Sequence, residues 1–266
     1  VVSRTMLPVK RLSQSLSVRQ ENDLSPLNDT DAPSEMTGFI AAINRLLKRT
    51  DNNIRQQQRF IADAAHEMRS PMTALSLQVE RLNQLPLADD AKLQARQIQT
   101  SIARQRHLLE QLLSLARAQS PDAKRPLAAV NLQQLFRRIL EELHPLAAAK
   151  GQDIGIAVER NCEIYANETE IYTLIKTLAD NAIRYTPDSG QIDLGFDDND
   201  THLTLWVEDN GPGIPPEERR RVLDPFYRIL GSEQQGTGLG LSIADTIAKR
   251  YGGKLILSDN RRTGYG

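Results

Sequence analysis

The chain has 266 residues, with 33 Lys and Arg against 34 Asp and Glu, giving a formal net charge of −1. That balance argues against a nucleic-acid-binding protein, whose footprint is a basic excess. A single cysteine, Cys162, excludes an intramolecular disulfide framework and a multi-cysteine metal site and fits a reducing compartment. Aromatic residues make up only 5%, which leans towards helices, and no apolar run approaches the roughly 18 residues of a membrane span.

The first stretch, residues 1–53, holds two short amphipathic segments. One carries Leu7, Leu12 and Leu16; the other places Met36, Phe39, Ile40, Ile43, Leu46 and Leu47 at helical spacing. The connector, about 19–34, is rich in Asn, Asp, Ser and Pro, which is loop composition. A connector of this length suits a parallel helix pair.

Residues 54–120 read as a helical hairpin. Ile61, Ala64, Ala65, Met68, Met72, Leu75, Val79 and Leu82 form one apolar stripe, and Ile98, Ile102, Leu109, Leu112, Leu113 and Ala116 form another, with a turn at 84–90. Two helices with one stripe each cannot enclose a wide core alone, so dimerisation into a four-helix bundle is expected. Residues 121–127 read as a linker. Beyond them, helices are predicted at about 132–149, 168–185, 217–223 and 240–251, alternating with strands near 153–158, 191–197, 202–208 and 253–258. The fold class is therefore multidomain: an all-α N-terminal part followed by a two-layer α/β domain over 128–266.

His107, His144 and His202 read as surface or capping residues, but His66 differs. At about 100° per residue it points roughly 150° away from the stripe, towards solvent. Glu67 lies beside it and Ser70 one turn on, while Pro71 removes an amide from the helix and favours a bend there. A neutral imidazole can attack a phosphoryl group if a base such as Glu67 orients its other proton.

Two glycine clusters follow in the α/β part. Asp209-Asn210-Gly211-Pro212-Gly213 succeeds a predicted strand, with a carboxylate able to accept a hydrogen bond from an exocyclic amine. Gly236-Thr237-Gly238-Leu239-Gly240 opens a helix, where free N–H groups and the positive dipole end favour phosphate, although a tight turn plus helix cap has the same appearance. The polar stretch before it weakens a dinucleotide fingerprint. A third element, Asp180 to Pro187, offers the Asn181 amide oxygen to magnesium, Arg184 to a phosphate and Tyr185 as a stacking face.

His66-Glu67-Met68-Arg69-Ser70-Pro71, Asp180 to Pro187, Asp209 to Pro215, Asp224 to Arg228 and Gly236 to Ser242 together resemble a bacterial sensor histidine kinase. They follow the order of its phosphoacceptor motif, N box, first glycine box, F box and second glycine box, over about 54–258. Residues 1–53 are similar to a HAMP linker, with Pro8 in the first helix and Glu35 opening the second. The resemblance implies a GHKL-type sandwich, with His66 phosphorylated by ATP, Glu67 as general base, Asn181 on Mg2+, Asp209 reading the adenine amine and Tyr185 packing near the ring. Phe226 to Gly240 would form the ATP lid, and the Ser70 hydroxyl keeps phosphatase activity in view. It implies a homodimer, a response-regulator receiver domain as partner, and a place as the cytoplasmic portion of a bacterial inner-membrane protein anchored by a preceding span. Arg4, Lys10 and Arg11 fit the basic flank of such a span. Two other readings compete: another GHKL ATPase, and a dimeric adaptor that binds nucleotide without catalysis.

One position departs from the pattern. Thr177 stands where the family usually has the first Asn of the N box, one turn before Asn181. Loss of that amide oxygen predicts a raised KM for ATP. Thr177→Asn is expected to tighten nucleotide binding, and an unchanged Kd in a fluorescent-ATP titration contradicts this.

Overall fold

The computed structural model describes residues 25–27, 34–86, 88–119, 126–158, 160–199, 201–229 and 236–259. The first amphipathic segment, the basic residues at 4, 10 and 11, nearly all of the connector, most of the linker and the stretch 230–235 lie outside these described residues. By internal contacts the chain forms two compact units, Val1–Phe60 and Ile61–Gly266.

Helix α1 runs Ser34–Asn83 and α2 runs Asp89–Gln119. The two helical patterns expected within α1 are thus one unbroken helix, because Thr50 to Asn53 carry neither Pro nor Gly and nothing in them stops propagation. In the first unit, Ile40 and Leu27 are buried, and the Asn44 side chain holds both backbone groups of Leu27, accepting from its N–H at 2.7 Å and donating to its carbonyl at 3.0 Å. No helix among the described residues is long and apolar enough to cross a membrane.

In the second unit, Ile61 onwards, α1 and α2 form the expected hairpin. Gln84 and Leu85 donate back to the carbonyls of Arg81 and Leu82, closing α1, and Asn83 Nδ2 meets Gln99 Oε1 at 3.1 Å. Between the helices lies a groove of about 490 Å³ lined by Met72, Leu75, Ile98 and Ile102 among others. Met68, Leu75, Leu82, Leu93 and Ile98 remain exposed in the single chain.

The α/β layer follows as β1 (Ala128–Asn131), α3 (Leu132–Ala149), β2 (Asp153–Ile156), β3 (Glu163–Ala166), α4 (Glu168–Tyr185), β4 (Gln191–Asp198), β5 (Leu203–Asp209), a 3-10 turn (Arg221–Leu223) and α5 (Gly240–Arg250). β1 pairs antiparallel with β3; β2, β4 and β5 form a mixed sheet with β4 central. Asn131 caps α3 by accepting from Gln134 N, and Asn167 caps α4 by accepting from Glu170 N, so each helix starts where its asparagine sits. Alternation along β4 sends Ile192, Leu194 and Phe196, all at most 1% exposed, into a core shared with Phe136 and Ile139 of α3, Ile175 and Ala179 of α4, and Ile243 and Ile247 of α5.

The expected helix at 217–223 is only turns and a 3-10 turn, since the short stretch between Pro216 and Pro225 leaves too little chain to propagate. The expected strand at 253–258 carries no sheet pairing among the described residues. Strands β1 and β3 were not anticipated; at four residues each, they are too short to show a period.

α2 packs directly on the α/β layer. Leu115 and Ala118 belong to its core, with Leu108 and Leu112 against it. The end of α2 is also held by charge: Arg250 donates to the carbonyl of Ala118 and pairs with the buried Glu170 at 3.4 Å. Tyr251 donates to the same carboxylate at 2.8 Å and accepts from Asn167 N at 3.0 Å, while Asn167 Nδ2 reaches Pro126 O at 3.3 Å. This polar clasp therefore grips the chain on both sides of the 120–125 segment.

Candidate active site

Helix α4 organises the site. Its apolar face, including Ile171, Ile175, Ala179 and Ala182, is buried, which leaves Thr177, Asp180, Asn181 and Arg184 along a half-buried edge. The Thr177 methyl lies 3.1 Å from where a Cβ on Gly240 would stand. Arg184 Nη1 and the Tyr185 hydroxyl lie 3.2 and 3.7 Å from the equivalent position on Gly236. One edge of α4 therefore fronts the second glycine cluster at both ends, and Asn181 lies between those two contacts by helical spacing. Arg184 is steadied by Asp180 one turn back, at 3.1 Å.

The first glycine cluster closes on the end of the same helix. Gly211 donates to Asp209 Oδ1 at 2.8 Å, and a Cβ there would lie 2.7 Å from that oxygen and 3.2 Å from Tyr185 O, so only glycine fits. Burial pushes the Asp209 carboxyl above its usual range, with the Gly211 N–H opposing the shift and the Glu208 charge adding to it. A half-buried carboxylate at a strand end, ready to accept from a ligand N–H, is the feature an adenine reader needs.

The second cluster leads into α5. Gly238 has φ +72° and packs so closely on Phe226 that an added Cβ would lie 2.7 Å from its backbone. Phe226 itself has φ +66°, unusual for a bulky residue, and is held there by its N–H donating to Gly238 O at 2.9 Å. The residue is 59% exposed. The backbone at Phe226 is thus strained beside a glycine turn while the residue stays open to solvent. The Thr237 hydroxyl accepts from Leu239 N at 3.3 Å and donates to Gln111 Oε1 on α2. Leu239, at the N-cap of α5, is fully buried and makes no side-chain capping bond. Gly213, with φ +71°, completes the first cluster as an exposed turn.

His66, Glu67 and Ser70 are not among these contacts; all are exposed on α1, as the helical geometry requires. α1 continues through Pro71, while the hydroxyls of Thr73 and Ser76 bond back to the carbonyls of Arg69 and Met72 at 2.9 and 3.0 Å. Such back-bonding next to a proline weakens the helix locally. His202 sits in a turn with Asn199 and Thr201, whereas His107 departs from the surface reading, with Nε2 buried and unpartnered among the described residues.

Among the described residues no group of three or more His, Cys, Asp or Glu is placed to hold a metal ion. Asn181 offers one amide oxygen, a ligand type that magnesium accepts alongside waters. Sequence reasoning missed Gln111. The density of Leu108, Leu109, Leu112, Leu113, Leu115, Ala116 and Ala118 was the available signal, since a helix apolar on several faces has more than one partner.

Asp209→Ala is expected to weaken ATP binding about tenfold or more, the scale of one lost charged hydrogen bond. In the wild type, lowering the pH protonates Asp209 at a higher pH than an ordinary aspartate, so affinity falls early; Asp209→Asn removes that limb of the profile. Nucleotide titrations across pH check both.

Residues 166–265 match the Histidine kinase-, DNA gyrase B-, and HSP90-like ATPase family, residues 56–121 the His Kinase A (phospho-acceptor) domain, and residues 6–52 the Sensor protein PhoQ-like HAMP domain. The Escherichia coli (strain K12) Sensor protein QseC is 32% identical over 271 residues, covering 100% of this chain and 59% of that protein. The Pseudomonas aeruginosa Sensor protein kinase PmrB is 30% identical over 262 residues, covering 96% of this chain and 54% of that protein. The chain thus spans somewhat over half the length of these relatives. The crystal structure of full-length ShkA in complex with AMPPNP is 26% identical, with a TM-score of 0.61 over 73% of this chain and 41% of that one. With three matched domains in this order on an α/β layer of the matching kind, the chain belongs to the sensor histidine kinases.

Proposed function

We propose that this chain is the signalling and catalytic portion of a two-component sensor kinase: it transfers the γ-phosphoryl group of ATP to His66 and then passes it to an aspartate of a response-regulator receiver domain. The observation that carries this reading is the convergence of Tyr185, Asp209–Gly211 and Gly236–Gly240 on one edge of α4, in the same chain as an exposed histidine flanked by a carboxylate.

In this reading residues 1–53 transmit the signal, 54–120 dimerise and carry His66, and 128–266 bind ATP. Asp209 accepts from the adenine amine, Tyr185 packs near the ring, and Arg184 with the N–H groups from Gly236 to Gly240 holds the phosphates. Gly213 and Phe226 shape the loops on either side. Asn181 would hold magnesium, which supplies charge neutralisation on the phosphates when bound. Glu67 takes or orients the Nδ1 proton of His66, so that Nε2 attacks the γ-phosphorus and ADP leaves with the electron pair of the broken P–O bond. Ser70, one turn from His66, is placed to orient a water for dephosphorylating the partner. The exposed stripe of Met68, Leu75, Leu82 and Ile98 supports a homodimer in which a second copy covers it. Anchorage through a membrane span preceding this chain completes the proposal.

Incubation of the chain with labelled ATP and magnesium is expected to give acid-labile, alkali-stable label that His66→Ala abolishes. Label that survives His66→Ala refutes the assignment, and bound ATP with no label favours the non-catalytic adaptor.

A further inference from the structure

The end of α4 is where both glycine clusters meet it, and a helix end is where backbone carbonyls lack intrahelical partners. Here they are gathered by two side chains from the turn after α3. Lys150 Nζ donates to the carbonyls of Ile183 at 2.9 Å, Arg184 at 3.0 Å and Thr186 at 3.4 Å. Gln152 Nε2 donates to Ile183 O at 3.1 Å, Thr186 O at 2.7 Å and Pro187 O at 3.2 Å. Gln152 is 7% exposed and spends its amide on these carbonyls alone, its Oε1 having no partner among the described residues.

We infer that Lys150 and Gln152 are positioning residues of the nucleotide site. They fix the last turn of α4, and with it Arg184 and Tyr185, against Asp209–Gly211 and Gly236. The inference rests on the reading of this site as the ATP site.

Three features support it beyond ordinary capping. The cation sits at the negative end of the α4 dipole, where it is most effective. One of the carbonyls it gathers belongs to Arg184 and the other two lie on either side of Tyr185 in the chain, so displacement of this turn moves the Arg184 guanidinium and the Tyr185 ring together. The turn is also closely packed by two glycines: a Cβ on Gly190 would lie 2.2 Å from the Thr186 methyl, and one on Gly211 3.2 Å from Tyr185 O. The last turn of α4 is thus held by the Lys150–Gln152 fork and packed against two glycine backbones. Lys150 itself bonds only backbone and contributes no atom to the reaction.

The test uses the whole chain and ATP with magnesium, comparing wild type, Lys150→Met, Lys150→Gln and Lys150→Arg. In Lys150→Met, Kd and KM for ATP are expected to rise about tenfold, the scale of one weakened hydrogen bond to a charged group, while kcat at saturating ATP stays within about twofold. Lys150→Arg, which restores charge and donors, is expected to recover most of the affinity, with Lys150→Gln between them. Thermal melts on the same samples separate folding from binding: a purely structural role lowers Tm but leaves the Kd of the folded protein unchanged, and that result overturns the inference. Equal loss in Met and Arg variants, or failure of all three to fold, also overturns it. If wild-type chain itself does not bind ATP, the reading of the site fails first and the inference falls with it.

Discussion

Everything in the catalytic half depends on the burial of one face of α4 against the sheet and its two neighbouring helices. Ile175, Ala179 and Ala182 leave no freedom to rotate the helix, since all are at most 3% exposed among core residues of β4, α3 and α5. Rotation by one residue, about 100°, would bury Asn181 and Arg184 and expose the apolar face. The polar edge is therefore set by the hydrophobic one. The same constraint explains the glycines: Gly211, Gly236 and Gly240 stand where backbone must pass close to a helix that cannot move away.

This division between apolar anchoring and polar display was largely readable in the sequence. The helices expected at 132–149, 168–185 and 240–251 and the strands expected at 191–197 and 202–208 lie close to α3, α4, α5, β4 and β5. Composition put Asp209 and the glycines in turns. What sequence did not show were features whose cause lies far along the chain. β1 and β3 exist because each is the other's partner. Lys150 reads as an ordinary helix-end lysine until the chain brings Ile183 to Thr186 beside it, a separation of more than thirty residues. Gln111 reads as a surface glutamine until Thr237 arrives from the second glycine cluster. The unbroken α1 was missed for a different reason: two apolar patterns were read as two helices, although nothing between them breaks a helix.

The helical hairpin and the α/β layer are joined by more than a linker. α2 contributes apolar side chains to the core of the layer, and Arg250, neutralised by Glu170, caps its last turn. The Gln111–Thr237 bond then ties the glycine loop to the same helix. A shift of α2 relative to α5 cannot occur without disturbing one of these contacts, so the position of the hairpin and the geometry of the nucleotide loops are mechanically linked. The local weakness around Pro71 lies on the other helix of that hairpin, just beyond His66.

The central claim is that the edge of α4 and the two glycine clusters form one nucleotide site. Amide hydrogen exchange measured with and without ATP and magnesium tests it most directly. Binding is predicted to slow exchange at the last turn of α4, at Asp209 to Gly213 and at Gly236 to Gly240, and to leave β1 and β3 unchanged. Saturating ATP that leaves all three segments as they were, or protects only β1 and β3, would contradict it.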